Sequence, residues 1–385
     1  MMRRPHLRLF LLALMAVLGL QCKPKNKPEP PVTASTDQTL QHATGLRLIE
    51  REGFTEVRVS TPWPNSDKTY TYAFVPKTKL ATMTFAADHY DAIIGTPVDR
   101  LIATSSTHIP ALEALGLLPN LIGFPDTRYI SSKAARQRVE NGNITEVGMN
   151  GQLNTELVLN NTPDLIIGFG IDNQNKQYQT LQAAGIPVVF NGDWMEMTPL
   201  GRAEWIKFFG VLAEKQTEAN ALFEQIVADY QKVRELAATA TERPTVLSGA
   251  LFKDVWYLPA GESWGARFVA DAHAEYLWKE TKGSGSLSLS LEKVFERGRD
   301  ADFWIAPSQF TRYADMEADN TLYANFEAFK NRQVHTFANT KGDTGGMLYY
   351  ELAPQRPDLV LRDLVKIFHP ELLPDHQPYF FTPLE

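Results

Sequence analysis

The chain carries one cysteine, Cys22, which excludes a disulfide-stapled scaffold and any cysteine-based zinc cluster. Long basic runs are missing as well, and the formal charge is −7 with a sequence pI near 5.7. Nucleic acid is therefore excluded as a partner. The eight histidines form no H-x-H or H-E-x-x-H arrangement, so nothing points to a zinc enzyme or a directly bound metal. Hydrophobic runs are short too: Leu9 to Leu20 is a run of twelve, against the ~20 residues that span a bilayer. What is abundant is ordinary core material, 44% hydrophobic and 11% aromatic residues in a chain of 385. That excludes a disordered chain and exceeds one core, because single cores stop growing near ~250–300 residues. Two lobes are expected.

Arg3, Arg4 and Arg8 precede the apolar run, the layout of a secretory signal over residues 1–21. Cys22, directly after it, resembles the lipid-attachment cysteine of bacterial lipoproteins, although Gly19 and Gln21 stand where that pattern has leucine and a small residue. A lone thiol is otherwise a liability in an oxidising compartment. The resemblance implies an acylated Cys22, a membrane anchor through its lipid, and an exported, periplasm-facing lipoprotein of a bacterium; a plain signal peptide with a free Cys22 is the alternative. Lys23 to Ser35 reads as a Pro-rich tether within residues 22–44. Loss of residues 1–21 removes three arginines and no acid, taking the charge from −7 to −10.

Over residues 45–99 the pattern is strand-like. Val57 and Val59 alternate with polar residues, as do Tyr70, Tyr72 and Phe74 with Thr and Ala, and Pro62 and Pro64 separate the two runs. One or two hairpins packed on the main body are expected. Residues 100–198 change to apolar strands at Arg100–Thr104, Leu121–Phe124, Asp164–Gly168 and Ile186–Phe190, alternating with helical sequence. Near-continuous apolar strands between helices mean a parallel sheet covered on both faces. Residues 199–241 show no strand signal, and Thr217–Ala238 has helical spacing that suits one long helix between lobes. Residues 242–385 resume the β/α series at Thr245–Ala250, Val255–Leu258, Phe303–Ala306 and Val334–Phe337, closing with a helix over Pro357–Phe368. The fold class is α/β: two similar Rossmann-like lobes joined by a single long helix, with an N-terminal β-hairpin extension.

The lobes repeat one another. Leu153-Asn154-Thr155-Glu156 leads a helix into Pro163-Asp164-Leu165-Ile166, and Leu289-Ser290-Leu291-Glu292 leads a helix into Asp302-Phe303-Trp304-Ile305, with the glutamates 136 positions apart. Further marks follow in order: Thr107-His108-Ile109 with Leu112 to Gly116, Val147-Gly148, Ala184-Gly185-Ile186-Pro187, Pro199 to Trp205, and Arg356 to Leu361. Together these resemble the substrate-binding proteins of ABC importers for ferric siderophores, haem and vitamin B12, over roughly residues 100–374. The resemblance implies a monomer that is not an enzyme and has no cofactor. It would capture a metal chelate between its lobes and deliver it to a membrane permease and ATPase complex. It further implies that Glu156 and Glu292 dock onto permease arginines. The chain departs from the family's pattern at Lys341–Glu351 and in the hairpins before Arg100, which leaves siderophore, corrinoid and haem open.

Open α/β sheets bind ligands beyond the carboxyl ends of their strands. The loops there hold Ser106, Thr107, His108, Phe124, Tyr129, Phe169 and Trp194 in the first lobe. In the second they hold Trp256, Tyr257, Trp264, Arg267, Tyr349 and Tyr350. Loop aromatics fit a large, flat, partly apolar ligand, and Arg267 is a candidate for pairing with an anionic one. The competing chemistry is a serine hydrolase using the G-x-S-x-G elbow Gly261-Glu262-Ser263-Trp264-Gly265, with Asp302 or Asp343 and His335 or His369 downstream.

Overall fold

The computed structural model describes residues 36–38, 40–86, 88–172 and 175–385. The signal segment, Cys22 and the Pro-rich tether lie outside the described residues. Strands β1 (Thr36–Gln38), β2 (Leu46–Arg51), β3 (Phe54–Val59), β4 (Tyr70–Pro76) and β5 (Ala92–Thr96) form one sheet in sequence order. The first four pair antiparallel, whereas β5 runs parallel to β4. The expected hairpins are thus parts of a five-stranded mixed sheet, because the parallel partner of β4 is specified by contacts remote from its own sequence.

The first lobe is a parallel sheet of β6 (Leu101–Ala103), β7 (Leu121–Phe124), β8 (Thr145–Glu146), β11 (Leu165–Gly168) and β12 (Val188–Phe190). Its order is β12-β11-β6-β7-β8. A two-strand ribbon, β9 (Gly148–Met149) and β10 (Gln152–Leu153), stands beside it. Every residue of β6, β11 and β12 is buried, as a strand covered by helices on both faces requires. In the second lobe β13 (Thr245–Ser248), β16 (Glu275–Tyr276), β18 (Phe303–Ile305) and β19 (Val334–Thr336) are parallel, with β20 (Thr382–Pro383) antiparallel at the edge. The order there is β16-β13-β18-β19-β20. The strand expected at Val255–Leu258 is β15 (Val255–Pro259), which leaves that sheet and pairs antiparallel with β14 (Ala250–Phe252) and β17 (Ser286–Leu289). Gly249 makes the exit: its φ is +80°, and a Cβ there would sit 1.9 Å from the Tyr257 carbonyl oxygen.

The long helix is Gln216–Ala237, one residue from its expected bounds at each end. It buries Phe223, Ile226, Tyr230 and Val233 on one stripe, and packs against the helices Ile206–Leu212 and Pro357–Phe368. No described helix is long and apolar enough to cross a membrane.

Irregular segments are held by buried carboxylates. Glu204 is fully buried and accepts the amides of Gln41, His42 and Ala43 at 3.0, 2.7 and 2.8 Å, with Lys207 Nζ at 2.8 Å. Burial opposes its charge, but the Lys207 bond and those amides outweigh burial and hold its carboxyl below the usual range. Glu196 accepts the Thr44 and Gly45 amides at 2.9 Å and the Trp205 indole N–H at 3.0 Å. At the other end of the chain, Asp363 takes the Tyr379, Phe380 and Phe381 amides at 2.9, 2.6 and 3.1 Å. Glu204→Ala strands three amide donors and the Lys207 ammonium. It should cost about 3–5 kcal/mol in chemical denaturation and expose residues 41–45 to proteases, whereas wild-type stability in this variant would show the clamp to be incidental.

Candidate functional site

Each main sheet reverses strand order at one point, between β6 and β11 in the first lobe and between β13 and β18 in the second. The crevice beyond such a switch is where open sheets bind ligands. Hydroxyls fix it in the first lobe. The Thr104 hydroxyl accepts the Phe169 amide at 2.8 Å and lies 3.0 Å from the Tyr178 hydroxyl, which donates to the Phe169 carbonyl at 3.0 Å. Phe169 is thereby held at the mouth of β11. After β7, Asp126 turns the chain through a left-handed φ of 46° and accepts the Asn150 amide at 2.9 Å, which brings the β9–β10 ribbon against the Phe124–Tyr129 turn.

Three neighbouring chambers follow. The first, about 250 Å³, is formed by Thr104, Ser105, Ser106, Phe124, Asp126, Tyr129, Asn150 and Phe169, with Met347 and Tyr350 opposite. The second, about 400 Å³, lies at the other switch point and holds Ser248, Gly249, Ala306 and Ser308 beneath Phe252, Tyr257, Trp264, Phe337, Tyr349 and Tyr350. Tyr349 stacks on Phe337 with ring centroids 4.4 Å apart and planes at 6°, and Phe381, Phe380, Trp264 and Tyr350 surround it at 5.5, 5.7, 5.9 and 6.0 Å. The third, about 440 Å³, is bounded by Pro64, Trp194, Glu196 and Arg202 on one side and Trp264 with Ser284 to Ser286 on the other. Tyr350 is common to the first two chambers and Trp264 to the last two, so the three lie side by side along the cleft.

The lobes meet across this cleft. Arg202 donates to the Glu196 and Trp194 carbonyls at 3.1 and 2.6 Å and lays its guanidinium 4.2 Å over the Trp264 ring. Beyond the first chamber, Glu351 is buried and accepts the Ser131 and Ser132 amides at 2.6 and 2.8 Å, at the start of the helix Lys133–Glu140. Thr344 Oγ1 donates to the Arg128 carbonyl at 2.7 Å. Gly346 permits this approach, because a Cβ there would lie 2.4 Å from the Tyr129 carbonyl oxygen.

Nine of the residues expected at the site line the cleft: Ser106, Phe124, Tyr129, Phe169, Trp194, Tyr257, Trp264, Tyr349 and Tyr350. Four do not. His108 is completely buried against Phe209 at 5.8 Å, neither ring nitrogen has a partner, and burial pushes its pKa down to about 3. A neutral core imidazole cannot face a ligand. Thr107 is half-buried, its hydroxyl 3.0 Å from Ser105 Oγ, and it lines none of the three chambers. Trp256 is a core residue, its N–H on the Ser248 carbonyl at 3.0 Å and its ring 5.3 Å from Trp304. Arg267 pairs along its own helix with Asp271 at 3.0 Å, and that carboxylate also takes the Tyr230 hydroxyl from the long helix. Pro64, Phe252 and Arg202 were missed as wall residues. Arg202 stands inside the Pro199–Trp205 run that carried part of the resemblance, which was the available signal.

The elbow serine does not act as a nucleophile would. Ser263 is buried and its Oγ accepts the Ala266 amide at 3.2 Å as the cap of the helix Trp264–Asp271. Asp302 is taken up by Thr245, and His369 by the Ala272 carbonyl, so the hydrolase reading has no support. Glu156 and Glu292 are both exposed, each in the first turn of its helix, Thr155–Asn160 and Leu291–Gly298. Backbone and Ser290 hydrogen bonds at the helix start hold the Glu292 carboxyl below the usual range. The two helices lead into β11 and β18, the strands across each switch point. Among the described residues, no group of three or more His, Cys, Asp or Glu is placed to hold a metal ion.

The match of residues 101–339 to the periplasmic binding protein family model places the chain in that family. An uncharacterised lipoprotein of Methanocaldococcus jannaschii is 27% identical over 298 residues, which are 75% of this chain and 69% of that one. A periplasmic haem-binding protein from Pseudomonas aeruginosa shares the fold with a TM-score of 0.57 at 19% identity, over 75% of this chain and 98% of its own. A periplasmic binding protein from Veillonella parvula has the same TM-score, 0.57, at 18% identity over 85% and 95% of the two chains.

Burial, aided by nearby Glu113, raises the Glu351 carboxyl to about 7 against the pull of its two amides. The folded state therefore binds this proton more tightly than the unfolded chain. Its contribution to stability is complete below the ordinary glutamate range and is lost as pH rises through about 7. Wild type should lose stability relative to Glu351→Gln between about pH 5 and 8; a stability difference that stays flat in denaturant titrations would contradict this.

Proposed function

We propose that this protein captures a metal chelate, an iron siderophore, a corrinoid or haem, in the cleft and delivers it to an ABC permease. The observation that carries the reading is the ring-walled cleft at both switch points. Its three chambers total more than a small solute needs, and Phe169, Tyr257, Trp264 and Tyr350 line them with partly exposed rings, Phe124 and Tyr349 lying buried behind. Tyr129, Tyr257 and Tyr350 are half exposed, at 51, 43 and 53%. Large apolar rings facing solvent mark a binding surface. The haem-binding name of the Pseudomonas relative supports the ligand class, and the lipoprotein name of the archaeal relative supports anchoring through Cys22.

Delivery rests on Glu156 and Glu292, exposed carboxylates at equivalent places in the two lobes, which suit a basic permease surface on both sides of the cleft. Binding itself needs no chemical step. Stacking and a few polar contacts supply affinity, with a small hinge closure that the long helix keeps limited.

Trp194 and Trp264 line the cleft, so a fluorescence titration reads occupancy directly. Vitamin B12, cobinamide, haem and a set of ferric siderophores are the probes. At least one should quench at sub-micromolar concentration, and silence from all would overturn the chelate assignment. Glu156→Arg with Glu292→Arg should abolish uptake by cells while leaving that quenching curve in place; a weakened curve would put the glutamates in the wrong role.

A further inference from the structure

The family match begins at residue 101, yet the third chamber has a wall that precedes it. Pro64 lies in the loop between β3 and β4, in the β-rich extension, and faces Trp264 and Ser284 to Ser286 across that chamber. We infer that the extension completes the ligand site, with Pro64 walling a subsite for a planar, hydrogen-bond-accepting appendage of the ligand beside Arg202. The inference rests on the chelate-binding reading and specifies which part of the molecule the extension selects.

The loop is built to hold that position. Thr61 and Asn65, on either side of Pro62-Trp63-Pro64, take left-handed φ values of 49° and 59°, so the chain turns sharply at both ends. Two prolines fix φ between those turns. Trp63 is 5% exposed and sits edge-on to Phe190 at 5.0 Å and Tyr70 at 5.7 Å, tying the loop to β12 and β4. Gly170 gives it room, since a Cβ there would lie 3.1 Å from the Trp63 ring. The Pro62 carbonyl accepts the Trp194 indole N–H at 3.2 Å, so one loop orients a cleft tryptophan and supplies the wall next to it. Preorganised walls of this kind save the ordering cost that a mobile loop would add to binding.

The chemistry of the occupant follows from its surroundings. Trp194 and Trp264 give the chamber flat apolar faces, which suit a planar group. Arg202 is its cation, and a guanidinium has five N–H donors and no acceptor. Its bonds to the Glu196 and Trp194 carbonyls use two of them. Glu196 also borders the chamber, but both its carboxylate oxygens are occupied by Thr44, Gly45 and Trp205. Beside this cation the favoured appendage carries a carbonyl, carboxylate or similar oxygen.

Pro64 is exposed, so substitutions there should leave the fold intact. The test is Kd by tryptophan quenching for Pro64→Glu and Pro64→Lys against vitamin B12, cobinamide, haem and the ferric siderophores, with melting curves as the control. For the tightest wild-type binder, Pro64→Glu should weaken binding at least tenfold by presenting its own acceptor to Arg202, and Pro64→Lys less than threefold. Equal losses in both variants would overturn the acceptor assignment, and unchanged Kd in both would overturn the wall. No binding of any probe by wild type would instead bring down the chelate reading and this inference with it.

Discussion

The pairing of two parallel strands whose connections leave in opposite directions governs both lobes. At β6 with β11, and again at β13 with β18, the chain cannot cover the space above the strand ends, because the helices depart to either side. That opening is a consequence of connectivity rather than of any side chain. What the sequence adds is rigidity around it, through Thr104, Tyr178 and the Phe169 backbone in one lobe and the tight Gly249 exit in the other. Rings placed on these supports present their faces to the cleft at little further entropic cost.

A second theme is the use of buried carboxylates as acceptors for chain that is neither helix nor sheet. Glu204 and Glu196 gather residues 41–45, Asp363 gathers residues 379–381, and Glu351 joins the lobes. Each takes several backbone amides that would otherwise be buried without partners, a loss more serious than the bond itself is favourable. The same device thus fixes the entry to the extension, the end of the chain and the contact between lobes. Glu351 differs from Glu204 because no cation accompanies it, and so it alone of the two is raised.

Much of the parallel core was legible because strands buried on both faces leave a local mark, an unbroken apolar run such as Leu165-Ile166-Ile167. The long helix was legible for a similar reason, its stripe of Phe223, Ile226, Tyr230 and Val233. The mixed sheet of the extension was not, since the pairing of β5 with β4 depends on which strand fills the edge. At the cleft, a ring near a strand end has two destinations that sequence does not separate. Trp264 and Tyr349 turned to the cleft, whereas Trp256 found Trp304, Tyr323 and Phe326 and turned inward. His108 illustrates the same ambiguity with a polar ring, decided by Phe209 behind it. The carboxylate clamps carry no local signal at all, because Glu204 and its amide partners are some 160 residues apart.

The two lobes are similar without being copies. Counting strands by their order within each sheet, the first lobe runs 3-2-1-4-5 and the second 2-1-3-4-5 with its last strand reversed. No rotation can exchange the two walls of the cleft. Any molecule held there meets two different surfaces. The cleft is thus asymmetric by construction, its two walls set by two different strand orders.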